Sequence, residues 1–324
     1  MKKGIILGLV LFATWAAGRL MAAELVVAGV THGVELLPAA SPYGEAKAIT
    51  NIAYVTNPSP RQNFDLYLPV SGKKPFPLVV WIHGGAWLMG SKDWNNAQYL
   101  VRHGYAIASV DYRMTTEGAF PVQIQDCNEA LNFIVAHARE IGVDGKRLVV
   151  AGGSAGGHLA LLVGLARQQP GFGADPAIKP AAILDFFGPT DFTTGLEQLE
   201  SMHSKKGMEL FKDAVPKLLG APLSLDLGKA KIASPLNYIG TNSPPVLMVH
   251  GSNDELVPVA QSRQLQAALD RAGVQNRYQE VPDTGHDGPR FSKPDIEAVV
   301  IGFLDGVFKP QITTGKNRLR KAEN

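Results

Sequence analysis

The stretch Gly152-Gly153-Ser154-Ala155-Gly156 links a short apolar run to the start of an apolar helix. Residues 147–151 (RLVVA) before it have the character of a buried strand, and residues 157–163 (GHLALLV) after it suit a helix. A strand that turns directly into a helix needs small residues on both sides of the turn, because a side chain there would strike the neighbouring elements. The pattern predicts a tight strand-turn-helix unit that exposes Ser154 at its tip. The alternative is a glycine-rich turn in which the serine is a bystander.

Strand-like and helix-like segments alternate on both sides of this unit. The strand-like runs are residues 78–83, 105–111, 181–187, 246–250 and 277–281, and the helix-like runs are residues 94–103, 121–141, 259–272 and 294–308. Nearly continuous apolar strands with helical crossovers are typical of a mostly parallel central sheet with helices on both faces. Earlier in the chain, residues 51–54 and 64–68 are expected to form an antiparallel pair that leads into this sheet.

One segment breaks the alternation, and it suggests how the chain is organised. Residues 193–232 are polar and helical between two sheet strands, which predicts a small helical cap over the site. A decorated crossover with no role in substrate choice is the alternative. The chain from residue 24 to residue 324 is expected to form a single domain with this cap-like insertion.

The first 23 residues have the order of a secretory signal. Lys2 and Lys3 precede an apolar run over residues 4–17, and the small residues Ala22 and Ala23 follow. The run is short for a membrane span, and Arg19 interrupts it. We therefore expect residues 1–23 to be a cleaved signal peptide, the protein to be periplasmic or extracellular, and no stable membrane span to remain. A retained anchor is the alternative.

Composition excludes several classes of protein. The 324 residues carry a formal net charge of only +2, which argues against a nucleic-acid partner. The single cysteine, Cys127, cannot form an internal disulfide and lies in a helical pattern typical of a buried structural residue. No His, Asp and Glu cluster has metal-ligand spacing, so neither a metal nor a cofactor is expected. The oligomeric state is left open.

A serine hydroxyl becomes a nucleophile only with a base beside it and an acid that orients the base. Asp254 follows the strand at residues 246–250, and His286 follows the strand at residues 277–281, so both lie where open α/β sheets place their sites. We predict Ser154 as nucleophile, His286 as base and Asp254 as orienting acid. Glu255 and Asp283 are the competing acids, but Asp283 is too close in sequence to His286.

Two further histidines are expected to have structural roles. His250 ends a strand and should make a structural hydrogen bond, and His158 should pack or cap within the first turns of its helix.

The stretch His83-Gly84-Gly85-Ala86-Trp87 supplies the remaining part of an acyl-transfer site. The N–H groups of Gly84 and Gly85, with that of Ala155, are predicted to form the oxyanion hole. His83 should brace this loop. Trp87 is a candidate for lining the substrate pocket, with simple loop packing as an equal alternative.

Two further stretches follow strands and are expected to support the site. Gly188, in the run Gly188-Pro189-Thr190-Asp191, is a candidate for shaping the wall of the substrate pocket. The stretch Asp111-Tyr112-Arg113 predicts a buried pair of Arg113 and Asp111 near the oxyanion loop.

Together these residues resemble the α/β-hydrolase superfamily and, within it, the bacterial feruloyl-esterase-like (BD-FAE) family, neighbours of the hormone-sensitive-lipase-type esterases. The matching pieces are Asp65-Leu66-Tyr67-Leu68-Pro69, residues 83–87 with Gly90-Ser91-Lys92, residues 111–113, residues 152–158, Ala233-Ser234-Pro235 and the Asp254 and His286 loops. The resemblance covers roughly residues 50–308. It implies an α/β-hydrolase fold and carboxylic ester hydrolysis, with acetylated or feruloylated carbohydrates among the substrates. Residues 24–49 carry no family motif, and residues 193–232 form the variable region.

The function expected is therefore that of a secreted serine carboxylesterase that forms an acyl-enzyme on a small-molecule or carbohydrate ester. Two alternatives stay open. One is a small serine peptidase of the prolyl-oligopeptidase type, and the other is a non-catalytic binding protein with a hydrolase fold.

Overall fold

A ten-stranded sheet forms the centre of the protein, in a computed structural model that describes residues 21–308. The strand order across the sheet is β1-β2-β3-β4-β6-β5-β7-β8-β9-β10. The strands are β1 (Met21–Val27), β2 (Val30–Leu37), β3 (Ala46–Ala53), β4 (Asn63–Pro69), β5 (Phe76–Ile82), β6 (Ala106–Val110), β7 (Val143–Gly153), β8 (Ala182–Phe186), β9 (Val246–Gly251) and β10 (Asn276–Val281).

The sheet divides into an antiparallel part and a parallel part. Strands β1 to β4 pair antiparallel with their neighbours, as do β4 and β6, and all pairs from β6 to β10 are parallel. The predicted mostly parallel sheet is confirmed, and so is the antiparallel pair that leads into it. In that pair β3 starts at Ala46, earlier than residue 51, and its register with β4 shifts between Ile49 and Ile52.

Helices cover both faces of the sheet. They are α1 (Val122–Ala136), α2 (Ala138–Ile141), α3 (Ala155–Leu165), α4 (Phe192–Ser201), α5 (Lys205–Leu219), α6 (Leu227–Ala233), α7 (Val259–Arg271) and α8 (Pro294–Phe308). Alternate residues of β5 point to opposite faces: Leu78 and Val80 join the core with α1, α3 and α7, and Val79 and Trp81 join the core with α8. Both faces are therefore buried, which explains the unbroken apolar strands.

The prediction of a helix over residues 94–103 was wrong in its first half. Only Gln98–His103 is helical, as a 3-10 helix. The Asn95 side chain accepts a hydrogen bond from the N–H of Ala97 at 2.8 Å, and the Trp94 carbonyl accepts one from the Trp81 indole at 2.8 Å. These hydrogen bonds hold residues 94–97 in turns, because an acceptor on a side chain competes with the helical backbone hydrogen bonds.

The predicted long helix over residues 121–141 is divided in two. His137 leaves helical geometry at φ −104° and ψ 12°, so α1 ends before it and the short α2 starts after it. Gly142, at φ 77°, then ends α2 in the left-handed conformation that favours glycine.

The segment at residues 193–232 contains most of α4, all of α5 and most of α6, and α4 and α5 contact each other. Residues 1–20 of the predicted signal segment lie outside the described residues. Residues 21–23 begin β1, which pairs with β2 and brings the motif-free residues 24–49 into the sheet.

Candidate active site

Ser154 lies at the tip of the turn between β7 and α3. Its backbone has φ 56° and ψ −121°, a conformation that side-chain-bearing residues rarely adopt outside functional sites. A Cβ atom on Gly156 would lie 2.0 Å from the Ile82 carbonyl oxygen, and one on Gly152 would lie 2.3 Å from the Gly156 carbonyl oxygen. Only glycine fits at these two positions, which lie two residues before and two residues after Ser154. The turn therefore requires both glycines.

The structure brings Ser154, His286 and Asp254 together. His286 Nε2 is 2.8 Å from Ser154 Oγ, and His286 Nδ1 is 2.7 Å from Asp254 Oδ2. A carboxylate only accepts hydrogen bonds, so Nδ1 donates to Asp254 and Nε2 is left to accept from the serine hydroxyl. This is the arrangement in which an imidazole can remove the proton of an attacking serine.

Asp254 is fully buried, and four donors reach its carboxylate. Oδ1 accepts from the N–H groups of Leu256 at 2.8 Å and Val257 at 2.9 Å, and Oδ2 accepts from His286 and from His250 Nε2 at 3.0 Å. Burial by itself would raise the pKa of this carboxyl, but the hydrogen bonds from His250 and His286 hold the pKa well below its ordinary value. Asp254 therefore stays ionised beside the base.

The competing acids lie elsewhere. Glu255 and Asp283 are both exposed, and neither side chain bonds to His286 within residues 21–308. The backbone of Glu255 contributes instead, since its carbonyl accepts from the Ser204 hydroxyl at 2.6 Å and ties α5 to the Asp254 loop.

The two other histidines have different surroundings. His250 is fully buried and bonds directly to Asp254, a contact that the sequence pattern did not indicate. His158 is also fully buried, its Nε2 lies 2.7 Å from the Ala233 carbonyl, and burial lowers its pKa to about 4. His158 is therefore neutral and joins α3 to the end of α6.

The loop after β5 lies against the serine. A Cβ atom on Gly84 would be 3.3 Å from Ser154 Cβ, so the Gly84 backbone directly adjoins Ser154. Gly85, Ala86 and Trp87 all have positive φ angles, which turns the chain sharply at this point. Within residues 21–308 the N–H groups of Gly84 and Gly85 donate to no backbone or side-chain acceptor, and Ala155, the first residue of α3, has no acceptor within its helix.

A buried polar network supports this loop. The His83 ring stacks on Tyr112 at 4.4 Å, and its Nδ1 lies 2.7 Å from the Gly84 carbonyl oxygen. The predicted pairing of Arg113 with Asp111 was wrong: Arg113 forms an ion pair with Asp126 at 2.7 Å. Asp111 instead accepts from the Lys92 N–H at 2.7 Å, because its carboxylate faces the oxyanion loop and not helix α1.

Two cavities of different character meet at Ser154. The narrow pocket has a volume of about 50 Å³ and extends beneath α4 and α5. Its walls are apolar apart from Ser154, Asp191 and Gln261, and they include Trp87, Phe192, Leu210, Phe211, Val215 and Pro258. The wide cleft has a volume of about 590 Å³ and opens past His286. Its walls are more polar, and they include Met89, Asp93, Trp94, Asn95, Asn96 and Asp287.

Of the two predicted pocket residues, one lines a cavity and one does not. Trp87 lines the narrow pocket and also packs edge-on against His158 and Phe192, at 5.1 and 5.6 Å between ring centroids. Gly188 lies behind the turn, where a Cβ atom would be 2.7 Å from the His158 nitrogen. The cavity walls at this point are formed by its neighbours Phe187 and Pro189 instead of Gly188.

Several lining residues were not predicted from the sequence. The Phe187 ring packs against His286 at 4.9 Å between ring centroids, and its φ of 47° marks a strained position next to the site. Trp94 is 53% exposed on the wide cleft. The one available signal was position in the chain. Phe187 lies just beyond the end of a strand, and Trp94 follows the glycine-rich loop at residues 84–90.

Gln261 is the main polar contact between the cap and α7. It is buried, its Oε1 accepts from the N–H groups of Thr190 and Asp191 at 2.8 Å each, and its Nε2 donates to Gln198 at 2.7 Å. This network fixes the start of α4, and with it the roof of the narrow pocket.

Among residues 21–308, no helix combines the length and apolar character needed to cross a membrane.

Solved structures resemble this protein across most of its length. A truncated carbohydrate esterase from gut microbiota superposes with a TM-score of 0.71 at 24% identity, covering 80% of this chain and 95% of that one. Esterase B from Lactobacillus rhamnosis gives 0.69 at 22% identity, covering 81% and 85%. At these identities the likeness establishes the α/β-hydrolase fold.

Sequence relatives point in the same direction. The chain is 34% identical over 220 residues to the probable carboxylic ester hydrolase LipM of Mycobacterium tuberculosis, covering 65% of this chain and 49% of LipM. It is 31% identical to esterase LipQ of the same organism, covering 65% and 50%. The chain thus spans about half the length of these relatives. The profile described as BD-FAE matches residues 64–269, which include Ser154 and Asp254. On this match the chain belongs to the BD-FAE family.

Proposed function

We propose that this protein is a serine carboxylesterase that works through an acyl-enzyme. The observation that carries the proposal is the continuous chain of short contacts from Ser154 Oγ to His286 Nε2, 2.8 Å, and from His286 Nδ1 to Asp254, 2.7 Å. The esterase names of its relatives and its membership of the BD-FAE family support the same chemistry.

The reaction follows from these positions. Ser154 Oγ bonds to the ester carbonyl carbon while His286 takes the hydroxyl proton, and the carbonyl oxygen becomes an oxyanion. The N–H groups of Gly84, Gly85 and Ala155 are the proposed donors to that oxyanion. Collapse of the intermediate breaks the bond to the alcohol oxygen, which takes the proton from His286. A water molecule then gives a proton to His286 and bonds to the acyl carbon. When this second intermediate collapses, the bond between the acyl carbon and Ser154 Oγ breaks and Oγ takes the proton from His286, which releases the carboxylic acid and restores Ser154.

The position of His286 supports an assignment of the alcohol half and the acyl half of the ester to the two cavities. The alcohol must leave beside the group that protonates it, and His286 lines the wide cleft but not the narrow pocket. The alcohol half of the ester therefore occupies the wide cleft, and the acyl half occupies the narrow pocket.

The narrow pocket favours a short acyl group. Its volume of about 50 Å³ is well below the roughly 150 Å³ of an engineered cavity that holds benzene in another protein. An acetyl group, or one a few carbons longer, fits against Trp87 and Phe211, whereas a feruloyl ring does not. Of the two family substrates, acetyl esters are therefore the better match.

The wide cleft favours a bulky polar alcohol. The exposed Trp94 ring offers a flat apolar surface, and the carboxylates of Asp93 and Asp287 lie in the same cleft. An amphipathic ring with hydroxyl groups on its edge, such as a sugar, can stack on the indole and donate to these carboxylates. We therefore propose short-chain acyl esters of carbohydrates as substrates.

We also propose that the protein is exported. Residues 1–23 carry the basic, apolar and small-residue order of a signal peptide. Mass spectrometry of the mature protein from the periplasm or medium should show an N-terminus near Glu24. An intact Met1 on cytosolic protein would contradict export.

The function is tested with purified protein and a panel of esters. We expect hydrolysis of p-nitrophenyl acetate and of an acetylated sugar, little hydrolysis of octanoyl or feruloyl esters, and loss of all turnover in Ser154→Ala. Undiminished activity of folded Ser154→Ala would sink the assignment. Faster cleavage of a matched amide than of the ester would favour a peptidase, and no labelling of wild-type Ser154 by a fluorophosphonate would favour a binding protein.

Two substitutions test the cavity assignment separately. Phe211→Ala should enlarge the narrow pocket and raise octanoyl over acetyl turnover by about tenfold, since about two additional buried methylenes contribute about 0.8 kcal/mol each. Trp94→Ala should raise the KM for the acetylated sugar and leave ethyl acetate nearly unchanged, because an ethyl group is too small to stack on the indole. If Trp94→Ala instead changes the acyl preference, the acyl half occupies the wide cleft and the alcohol half occupies the narrow pocket.

A further inference from the structure

Two imidazoles share one oxygen of the buried acid. Asp254 Oδ2 lies 2.7 Å from His286 Nδ1 and 3.0 Å from His250 Nε2. His250 and Asp254 are both fully buried, so no solvent weakens the contact between them. The oxygen that orients His286 thus has a second donor, and that donor belongs to a residue outside the three reacting groups.

The surroundings of His250 determine where its proton lies. Nε2 faces two acceptors, Asp254 Oδ2 and the Val257 carbonyl oxygen, each at 3.0 Å. Nδ1 lies 2.8 Å from the hydroxyl of Ser262, which can donate to it. Two acceptors on one side and a hydroxyl on the other place a proton on Nε2, so His250 is a donor to the acid.

We propose that His250 is a positioning residue that sets the pH at which His286 becomes available as the base. A carboxylate oxygen that already accepts one N–H bond attracts a second donor less strongly, because its charge is shared. His250 thereby limits how strongly Asp254 stabilises the protonated form of His286. The inference rests on the proposed function, since it concerns the base of that reaction.

Several other titratable groups lie near His250. Asp254 faces it from the following loop, Asp185 from β8 and Glu280 from β10, and His286 reaches it through the shared oxygen. Asp185 and Glu280 make no hydrogen bond to His250 within residues 21–308, so Asp254 is the group through which His250 acts.

A matched pair of amide variants tests the role. The side-chain nitrogen of glutamine can occupy the place of Nε2, whereas the shorter asparagine reaches only the place of Nδ1. We expect His250→Asn to move the acid limb of the kcat/KM profile upward by about half to one pH unit, and His250→Gln to stay near the wild type. Leu269→Ala, a buried change on α7 away from the acid, should lower the Tm without moving the limb.

The outcomes separate this inference from the proposed function. The same pH profile is measured for phosphonylation of Ser154 by a small fluorophosphonate, which reports the base without ester turnover. If His250→Asn is labelled and the acid limb of its pH profile does not move, the positioning role is overturned and the proposed esterase function stands. If the variants fail to fold, long-range ¹H–¹⁵N NMR of the wild type decides: a proton on Nε2 of His250 supports the role, and a proton on Nδ1 alone overturns it.

Discussion

Two buried carboxyl groups lie at the ends of neighbouring strands, and they differ in how many donors reach them. Asp254, after β9, accepts from two backbone N–H groups and two imidazoles. Asp185, at the end of β8, accepts from the Gly188 N–H at 3.0 Å, and its Oδ2 has no partner within residues 21–308. Both side chains are fully buried.

The difference shows in their ionisation. Burial raises the pKa of Asp185 to about 7, and the neighbouring His250 ring and the single hydrogen bond from the Gly188 N–H offset this only in part. At Asp254 burial acts in the same direction, but the hydrogen bonds from His250 and His286 outweigh it and lower the pKa. Burial therefore does not decide the charge of a carboxyl group in this sheet, whereas the number of donors does. The acid that must be ionised is the one with the donors.

The largest expected effect comes from removing the charge of the supported acid. Asp254→Asn should lower kcat for p-nitrophenyl acetate by about 10⁴-fold, as the equivalent change does in serine proteases, because an amide favours the wrong tautomer of the base. Asp185→Asn should keep kcat at pH 7 within about tenfold, because that carboxyl is already about half protonated at this pH and lies behind the turn. Steady-state kinetics with circular dichroism as a folding control measures both. Equal losses of kcat in the two variants would contradict a functional difference between Asp254 and Asp185.

The next effect is on stability as a function of pH. The folded-state pKa of Asp185 is raised, so the stability from its protonated form is fully present below about pH 4 and is lost as the pH rises toward 7. Above pH 7 the ionised Asp185 costs on the order of 4 kcal/mol, and this cost is absent in Asp185→Asn. The free energy of unfolding of Asp185→Asn relative to wild type should therefore increase between pH 4 and pH 8.

Urea unfolding at several pH values measures this difference. Asp254 has the opposite sign: its lowered pKa contributes stability that is present above the ordinary carboxyl range and is lost as the pH falls through its folded-state value. If the difference in the free energy of unfolding between Asp185→Asn and wild type does not change with pH, Asp185 ionises in the folded protein without this cost, which contradicts its raised pKa.

The smallest expected effect probes the space around each acid. A Cβ atom on Gly157 would lie 2.4 Å from Asp185 Oδ1, whereas Gly285, beside the His286 loop, has nothing within 4 Å of such an atom. Gly157→Ala should cost about 1–3 kcal/mol of stability through overpacking, and Gly285→Ala should stay within about 0.5 kcal/mol. Thermal unfolding of the two variants provides the matched comparison. A larger loss in Gly285→Ala would mean that the Asp254 region is the tighter of the two.

Much of the site was predictable because it depends on local sequence. Ser154 is identified by the glycines that its turn requires, and Asp254 and His286 by their position after apolar strands. The fold class followed from the alternation of strands and helices. The substrate walls were less predictable: Gly188 lies behind the turn, and Trp94 was assigned to a helix. In both cases contacts with distant residues, His158 and Trp81, decide where the segment lies.

By itself the sequence determined the strand-turn-helix unit at Ser154, since only glycine avoids backbone contacts of 2.0–2.3 Å on either side. It also determined the order of Ser154, Asp254 and His286 along the chain. The tertiary structure alone decided which buried carboxyl receives donors, that His250 shares the acid with His286, and that a narrow and a wide cavity meet at the serine. These features depend on distances between segments that are far apart in the chain, which no local pattern encodes.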